Sequence, residues 1–433
     1  MRTIGRRHRL FHTAVIGSVL GLALVTGCTD AAEQAGPGVT DAPCPQALDE
    51  SKGCIYLGVL SDLADGPFTA LGSSIHDGQR AFWHAVNAAG GIAGREVDIS
   101  TYARNTGYDP QRHRAEYARI EPHVLALAMS FGTAQTMGVL PEMEAAGVVT
   151  GAGTLWSGWQ YPDTDRNLVL DYGFSYCAEA VLGLDWFSGA HYLPSGIGIV
   201  AYRGNYGGDY ASGAMRWAAA NGIPVTARID TGPNSEVGNQ DGPVATILAS
   251  KPDVVVLATG PVEAAEIIGN LVAGGYEGRF LGSTPTWNSA LLRTPAAEAI
   301  TALYNYTSPF DGWDGHSAGA AKARAATTEP PANWGYNLGW ATSYPMKELL
   351  TAAAAQGPLT RAALRRALSG LTVDSEGMAP QRRYGTDRPD LAAERAVISV
   401  PDPDAPLGSR TLAADYRGPT LERITFSGPC ARL

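Results

Sequence analysis

Small hydroxyl residues and aromatic residues follow the apolar runs of this sequence, where binding or catalytic groups of an open sheet would lie. Thr133, Thr154 and Thr284 are such hydroxyl residues, and Trp156 and Tyr206 are such aromatic residues. Hydroxyls and backbone amides can hold a neutral or weakly polar small molecule, and aromatic rings can stack on it. Six segments share this composition and carry few charges: residues 61–63, 130–133, 152–156, 203–206, 259–261 and 283–287.

Several patterns that mark catalytic or metal sites are missing or weak. The sequence has no P-loop and no H-E-x-x-H, and the pair Gly151-x-Gly153 is followed by Trp156 where a dinucleotide-binding loop has its third glycine. The histidines beyond residue 27 lack metal-ligand spacing, and no cysteine pair has the form C-x-x-C. These histidines are His76, His84, His113, His123, His191 and His316. We therefore predict a protein that is not an enzyme and uses no cofactor and no metal.

Strand-length apolar runs alternate with amphipathic segments, which predicts an α/β fold with parallel sheets covered by helices on both faces. The predicted strands are residues 55–60, 97–102, 124–129, 148–151, 197–202, 225–229, 254–258 and 279–282. Roughly 380 residues exceed the size of one core and predict two domains. Open sheets of this kind bind ligands beyond the carboxyl ends of their strands, which is where the six segments lie.

The first residues have the composition of an export signal. Four arginines without an acid precede the apolar residues 14–24, a stretch shorter than the roughly twenty residues that span a bilayer. Thr26 and Gly27 before Cys28 resemble a lipobox, which predicts cleavage after residue 27, lipidation of Cys28 and a lipid-anchored exported protein; an ordinary signal peptide with a chance cysteine remains the alternative. Residues 28–54 are predicted to be a tether, because residues 29–45 have little apolar content.

Charge argues against nucleic-acid partners. Removal of residues 1–27 takes away four arginines and no acid, which changes the formal net charge from −10 to −14. A surface of that sign repels phosphate backbones and anionic lipid.

Four cysteines remain besides Cys28, in a compartment that permits disulfides. We favour Cys44 with Cys54, whose short loop would contribute about 3 kcal/mol, and Cys177 with Cys430 by elimination. Two other pairings, and free buried thiols, remain open.

The order of several motifs resembles the type I periplasmic binding proteins of the branched-chain amino acid and amide class, which serve ABC importers. The resemblance rests on residues 57–60, Asp77-Gly78, residues 86–95 with their G-G-I-x-G turn, Asn205-Tyr206-Gly207 and the aromatic residues 334–344. It implies two Rossmann-like lobes with parallel sheets, joined by a three-strand hinge that closes on the ligand. Carried over, it places lobe I at residues 55–173 and 304–368, and lobe II at residues 174–303 and 369–433.

The resemblance also implies ligand-binding residues. Thr133, Ala152 and Thr154 match the positions that hold a ligand carboxylate, and Tyr206 matches a tyrosine that closes over the ligand. Where amino-acid binders place an acid for the ligand ammonium, this sequence has Thr284, which puts an α-amino acid in doubt. Two further sets complete the expectation: Trp156 and Trp287 as aromatic contacts of the cleft, and Asp62 and Asp171 as alternative sources of the missing charge.

The implied function is that of an extracytoplasmic substrate-binding lipoprotein. It would capture a small amino-acid-like, amide or organic-acid ligand and deliver it, as a monomer, to an ABC transporter permease. Two alternatives remain: a ligand sensor for a signalling partner, and an extracytoplasmic hydrolase.

Overall fold

The computed structural model describes residues 36–385 and 394–432. The predicted signal peptide and the lipidation site Cys28 lie outside these residues. Within them, no helix has both the length and the apolar character needed to cross a bilayer.

Lobe I is built on a twisted sheet that begins near the amino terminus. Its strands are β1 (Val39–Thr40), β2 (Gly53–Ser61), β3 (Arg95–Asp98), β4 (Ala103–Asn105), β5 (Ala126–Ser130), β6 (Thr150–Ala152) and β7 (Val169–Leu170). Its helices are α1 (Thr69–Ala88), α2 (Pro110–Ile120), α3 (Thr133–Ala146) and the short α4 (Pro162–Asp165). All the strands that pair with one another in this sheet are parallel except β1, which runs antiparallel to β2.

Lobe II repeats the arrangement in the next part of the chain. Its elements are α5 (Tyr176–Ala190), β8 (Ile197–Tyr202), α6 (Asn205–Asn221), β9 (Val225–Thr231), α7 (Asn234–Val237), α8 (Asp241–Ser250), β10 (Val254–Ala258), α9 (Pro261–Ala273), β11 (Arg279–Gly282), α10 (Ala297–Leu303) and β12 (Tyr304–Ser308). The strands β9, β8, β10, β11 and β12 pair in that spatial order and are parallel.

The chain then returns to lobe I and crosses back once more. Helices α11 (Ala318–Ala325), α12 (Gly335–Ala354) and α13 (Arg361–Leu368) pack on lobe I, where α12 lies along α1. A hairpin of β13 (Thr372–Val373) and β14 (Arg382–Arg383) follows. Strands β15 (Ala396–Pro401) and β16 (Ser409–Tyr416) then extend the lobe II sheet. Strand β15 pairs antiparallel with β12, and β16 pairs antiparallel with β15.

The α/β fold of two lobes predicted from the sequence is confirmed, with two corrections to the boundaries. Residues 304–308, expected in lobe I, form β12 of the lobe II sheet because this strand pairs in parallel with β11. Residues 369–383, expected in lobe II, include a hairpin whose first strand contacts α12 on lobe I. The first two crossovers therefore lie at about residues 171–175 and 309–317, and the third lies between β14 and β15.

The described part of the predicted tether is folded onto lobe I instead. Strand β1 pairs with β2, and the backbone N–H of Gly36 donates to the carbonyl of Leu359 over 2.9 Å. The buried carboxylate of Glu96 accepts hydrogen bonds from the backbone N–H groups of Leu48 and Asp49. Backbone hydrogen bonds and a disulfide thus hold a segment that has too few apolar residues to pack by burial alone.

The structure contains the two disulfides favoured from the sequence. Cys44 is bonded to Cys54 within lobe I, and Cys177 of α5 is bonded to Cys430 near the carboxyl terminus. The second disulfide fixes the tail of the chain on lobe II.

Candidate ligand-binding cleft

The cleft lies at the carboxyl ends of both sheets. In the lobe I sheet, the chain leaves β2 toward β3 on one side and leaves β5 toward β6 on the other side. In the lobe II sheet, it leaves β8 toward β9 on one side and leaves β10 toward β11 on the other side. The cleft opens at the ends of these strands. Ligand sites of open parallel sheets form at such switch points. Gly132 and Gly204, with φ of +100° and +94°, make the turns into α3 and α6 there. The backbone of residues other than glycine rarely adopts such a positive φ.

Aromatic and aliphatic side chains from both lobes enclose a narrow cavity in this cleft. Its volume is about 20 Å³, enough for a single water molecule. The residues that line it are Phe68, Leu71, Tyr108, Phe131, Gly153, Thr154, Leu155, Tyr172, Tyr176, Tyr206, Thr284, Pro285, Trp334 and Leu338. None of these side chains is charged. The cleft is therefore closed, because residues of both lobes line a cavity this small.

A wider mouth of about 210 Å³ adjoins the cavity and shares Phe68, Tyr108 and Tyr206 with it. The start of α3, including Thr133, and the loop before α6 line this mouth. The first N–H groups of a helix have no acceptor within the helix, and together with the helix dipole they favour an anion or a carbonyl oxygen.

Two threonines of lobe I are hydrogen-bonded to each other at the boundary between the mouth and the cavity. The hydroxyls of Thr133 and Thr154 lie 2.9 Å apart, and the indole N–H of Trp159 donates to Thr154 Oγ1 over 3.1 Å. Both threonines are almost completely buried in the closed arrangement. The pair places two hydroxyl groups of lobe I where a polar ligand atom would meet them.

Tyr206 presents its ring to the cavity and keeps its hydroxyl inside lobe II. The hydroxyl lies within hydrogen-bonding distance of Ser283 Oγ, 3.0 Å from Thr286 Oγ1 and 3.2 Å from the carbonyl of Thr259. Burial raises the pKa of this phenol well above its usual value. Tyr206 is therefore a neutral, fixed aromatic surface.

The structure brings four of the seven predicted ligand-binding residues to the cleft: Thr133 at the mouth, and Thr154, Tyr206 and Thr284 at the cavity. The other three are buried elsewhere. Ala152 lies in β6. Trp156 donates its indole N–H to the carbonyl of Ala431 over 2.9 Å. Trp287 stacks on Tyr306 in the core of lobe II, with ring centroids 5.0 Å apart.

An acid that the sequence analysis did not identify lies directly behind Thr284. Glu179 is fully buried in the first turn of α5, and its Oε1 accepts hydrogen bonds from the Thr284 N–H and the Thr307 hydroxyl. Burial raises the pKa of Glu179 to about 8, although these hydrogen bonds oppose the shift. The side chain is therefore protonated at neutral pH in this arrangement. It lies on α5, beyond the first crossover and not directly after a strand, so the strand-end criterion could not find it.

The two acids considered as alternative counter-charges are both engaged. Asp62 accepts hydrogen bonds from the backbone N–H groups of Gly66 and Phe68 and from the Thr69 hydroxyl. Asp171 forms a buried ion pair with Arg382. Neither carboxylate lines the cavity.

Asp209 is a second fully buried acid, on α6 of lobe II. Its carboxylate accepts hydrogen bonds from the backbone N–H of Ser157, the Ser157 hydroxyl and the backbone N–H of Ala431. Burial raises the pKa of Asp209 to about 7, against the opposite effect of these donors. Its spacing of three residues from Tyr206 places both on one face of α6, and this signal could have revealed its burial.

One hydrolase pattern, G-x-S-x-G, occurs at residues 315–319. A catalytic serine in this pattern stands in a strained turn between a strand and a helix. Ser317 instead has an ordinary φ of −62° and caps α11, because its hydroxyl accepts a hydrogen bond from the Ala320 N–H over 3.1 Å. The pattern is a helix cap here. Over the described residues, the structure has no cluster of three or more His, Cys, Asp or Glu side chains that could hold a metal ion.

The sequence profile of the family described as "Periplasmic binding protein" matches residues 55–399. The chain belongs to this family. This periplasmic binding protein has the fold of the type I binding proteins of ABC transporters, which confirms the resemblance inferred from the sequence. Its relatives of known structure are named as substrate-binding or ligand-binding proteins, not as enzymes. No curated protein sequence matches this periplasmic binding protein.

Three solved structures illustrate the likeness. A fatty acid ABC transporter substrate-binding protein from Thermomonospora curvata is 23% identical to this chain. The match covers 90% of this chain and 96% of that protein's chain, with a TM-score of 0.79. A branched chain amino acid ABC transporter from Thermus thermophilus with bound valine is 12% identical, with coverages of 86% and 98% and a TM-score of 0.72. A solute binding protein from R. palustris in complex with benzoate is 15% identical, with coverages of 88% and 100% and a TM-score of 0.69. At these identities the likeness concerns the fold.

Proposed function

We propose that this chain is an extracytoplasmic substrate-binding lipoprotein of an ABC importer, and that it captures a small organic acid with an apolar or aromatic body. The observation that carries the proposal is the convergence of Thr154, Tyr206 and Thr284, from both lobes, on one enclosed cavity. The family supplies the general role, since periplasmic binding proteins bind solutes for transporters.

The wall of the cavity supports the ligand class. Rings and aliphatic side chains favour an apolar ligand body, which they can enclose and stack upon. The polar side chains that line the cavity are threonines, tyrosines and Trp334, and the wider mouth adds the first turn of α3 together with Arg203 and the exposed Glu236. Hydroxyls and helix-terminal amides donate hydrogen bonds to a carboxylate or a carbonyl oxygen.

The charges around the cavity argue against a ligand with an ammonium group. Asp62 and Asp171 are engaged, and Glu179 is neutral at pH 7 because burial raises its pKa to about 8. A buried ammonium without a counter-charge costs several kcal/mol. The relatives named for a fatty acid and for benzoate fit this reasoning better than the relative with bound valine.

Binding requires the lobes to separate, because a cavity of about 20 Å³ holds no organic acid. The three crossovers between the lobes supply the hinge for this motion. Hinge closure around a ligand is a common transition of two-lobed receptors.

The test is a calorimetric titration of the purified protein with benzoate, hexanoate, acetamide and valine. We expect one carboxylate ligand per chain, no turnover, and binding weakened by about 1–3 kcal/mol in Tyr206→Ala and in Thr154→Val, through lost stacking and lost hydrogen bonds. The controls are Tyr192→Ala and Thr301→Val, which alter an exposed tyrosine of lobe II and a threonine on the surface of α10.

Three results would contradict this proposal. Binding of valine alone would refute the ligand class, and unchanged affinity in both cleft variants would show that the ligand binds elsewhere. Reproducible turnover of a bound compound would move the protein to the enzymes.

The lipid anchor has its own test. In the native host, wild-type protein should sediment with membranes, and Cys28→Ser should release it, because the sulphur that carries the lipid is absent. Immunoblots of membrane and soluble fractions measure this. Tight membrane association of the variant would refute anchoring at Cys28.

A further inference from the structure

The carboxyl-terminal residues Cys430 and Ala431 contact both lobes. Cys430 is bonded to Cys177 of α5, which attaches the tail covalently to lobe II. On the other side, the indole N–H of Trp156 donates to the carbonyl of Ala431 over 2.9 Å, and the backbone N–H of Cys430 donates to Ser157 Oγ over 2.8 Å. Trp156 and Ser157 follow β6 and belong to lobe I. The tail therefore connects the lobes outside the three crossovers.

Asp209 of lobe II lies at the centre of this contact. It is 0% exposed, and it accepts hydrogen bonds from the Ser157 N–H over 2.9 Å, the Ser157 hydroxyl over 2.5 Å and the Ala431 N–H over 3.1 Å. Two of these three donors belong to lobe I and the third belongs to the tail. Moving Ser157 away would leave a buried carboxylate short of donors, which is unfavourable unless water replaces them.

We propose that Cys430 and Ala431, together with Ser157 and Asp209, form an interlobe brace that favours the closed cleft and limits how far the lobes separate. This inference rests on the proposed function in one respect, namely that the cleft opens to admit a ligand. The brace lies beside the first crossover, where the Tyr176 N–H donates to the carbonyl of Leu155 over 2.8 Å.

The disulfide makes the contact effective. Because Cys430 is fixed to Cys177, the tail loses little further conformational freedom when it meets lobe I. The Ser212 hydroxyl, which donates to the carbonyl of Cys430 over 2.9 Å, orders the tail on lobe II as well. The hydrogen bonds to Trp156 and Ser157 then form within one molecule, at a high effective concentration.

The test uses Ser157→Ala in the ligand-free protein. This variant loses the hydroxyl that donates to Asp209 and accepts from the Cys430 N–H. With two hydrogen bonds removed, we expect the ratio of open to closed molecules to rise roughly tenfold. Small-angle X-ray scattering should show a larger radius of gyration, and hydrogen exchange should be faster at the backbone amide of Ala431. The double variant Cys177→Ala/Cys430→Ala should change both measurements in the same direction.

Two matched controls keep the test specific. Ser195 donates its N–H and its hydroxyl to Asp253, the same pattern as Ser157 with Asp209 but within lobe II, so Ser195→Ala should leave both measurements unchanged. Cys44→Ala/Cys54→Ala removes a disulfide that lies within lobe I and should not alter the opening.

The brace is refuted if Ser157→Ala has the radius of gyration and the exchange rates of the wild type, or if Ser195→Ala changes them equally. Because no ligand is used, this outcome is independent of the binding screen. A failed screen beside an opened Ser157→Ala variant refutes the proposed ligand class and leaves the brace standing.

Discussion

Arg382→Met should lower the free energy of unfolding by about 3–5 kcal/mol at neutral pH, because it leaves two buried carboxylates without their cation. Arg382 is 5% exposed and forms ion pairs with Asp171 and Glu394, which are 9% and 3% exposed. Its guanidinium also donates to the carbonyl of Gly173. These partners belong to the first and third crossovers, so one cation ties two strands of the hinge together.

Urea denaturation at pH 7.5 and pH 5 measures this effect. The loss in Arg382→Met should shrink at pH 5, because burial raises the pKa of Glu394 and removal of the cation raises it further. Arg410→Met is the control, since Arg410 is 56% exposed and its ion pair with Asp402 is worth at most about 1 kcal/mol. A loss in Arg382→Met no greater than in the control would contradict a structural role for the buried ion pairs.

Glu179→Gln should remove a large part of the pH dependence of stability. Burial raises the pKa of Glu179 from 4.5 to about 8 in the folded protein, so the folded state keeps a proton that the unfolded chain releases above pH 4.5. The contribution is fully present below pH 4.5 and is lost as the pH rises through about 8. Each pKa unit corresponds to about 1.4 kcal/mol, so the total approaches about 5 kcal/mol.

The measurement is urea denaturation of both proteins from pH 5 to pH 9. At pH 5 their stabilities should be similar, because glutamine resembles the protonated acid and keeps the oxygen that accepts from Thr284 and Thr307. At pH 9 the variant should be the more stable protein. Glu298→Gln alters an exposed acid and should follow the wild type throughout. Parallel pH profiles of Glu179→Gln and wild type would show that Glu179 is ionised in the folded protein.

Strands that are buried on both faces could be predicted from the sequence, because they are continuous apolar runs. Strands β8, β10 and β11 have the predicted bounds. Strand β12 was missed because its sequence, Y-N-Y-T-S, has no apolar run although every residue is buried. Its burial comes from its place between β11 and β15, which depends on pairing over a long distance in the chain.

The candidate site, like the fold, could be predicted from the sequence only in part. Thr154 and Tyr206 could be found because they follow β6 and β8, and strand ends of one sheet meet at one edge. Trp156 and Trp287 also follow strands, but their indoles turn toward the tail and the lobe II core respectively. The direction of a side chain after a strand depends on its backbone turn, which local spacing does not specify. Glu179 reaches the site from a helix after a crossover, and only the assembled lobe II sheet brings it behind Thr284.

The rings that fill the cavity have a thermodynamic consequence. Tyr176 and Tyr206 pack edge to face, with centroids 4.9 Å apart, and Phe68, Tyr108 and Phe131 pack in the same way on the opposite wall. These contacts lie within one lobe each and persist when the cleft opens, but the closed cavity of about 20 Å³ admits no organic acid. The apparent affinity for a solute is therefore its intrinsic affinity reduced by the fraction of molecules that stand open. Substitutions that favour the open arrangement, without touching the solute, should tighten binding.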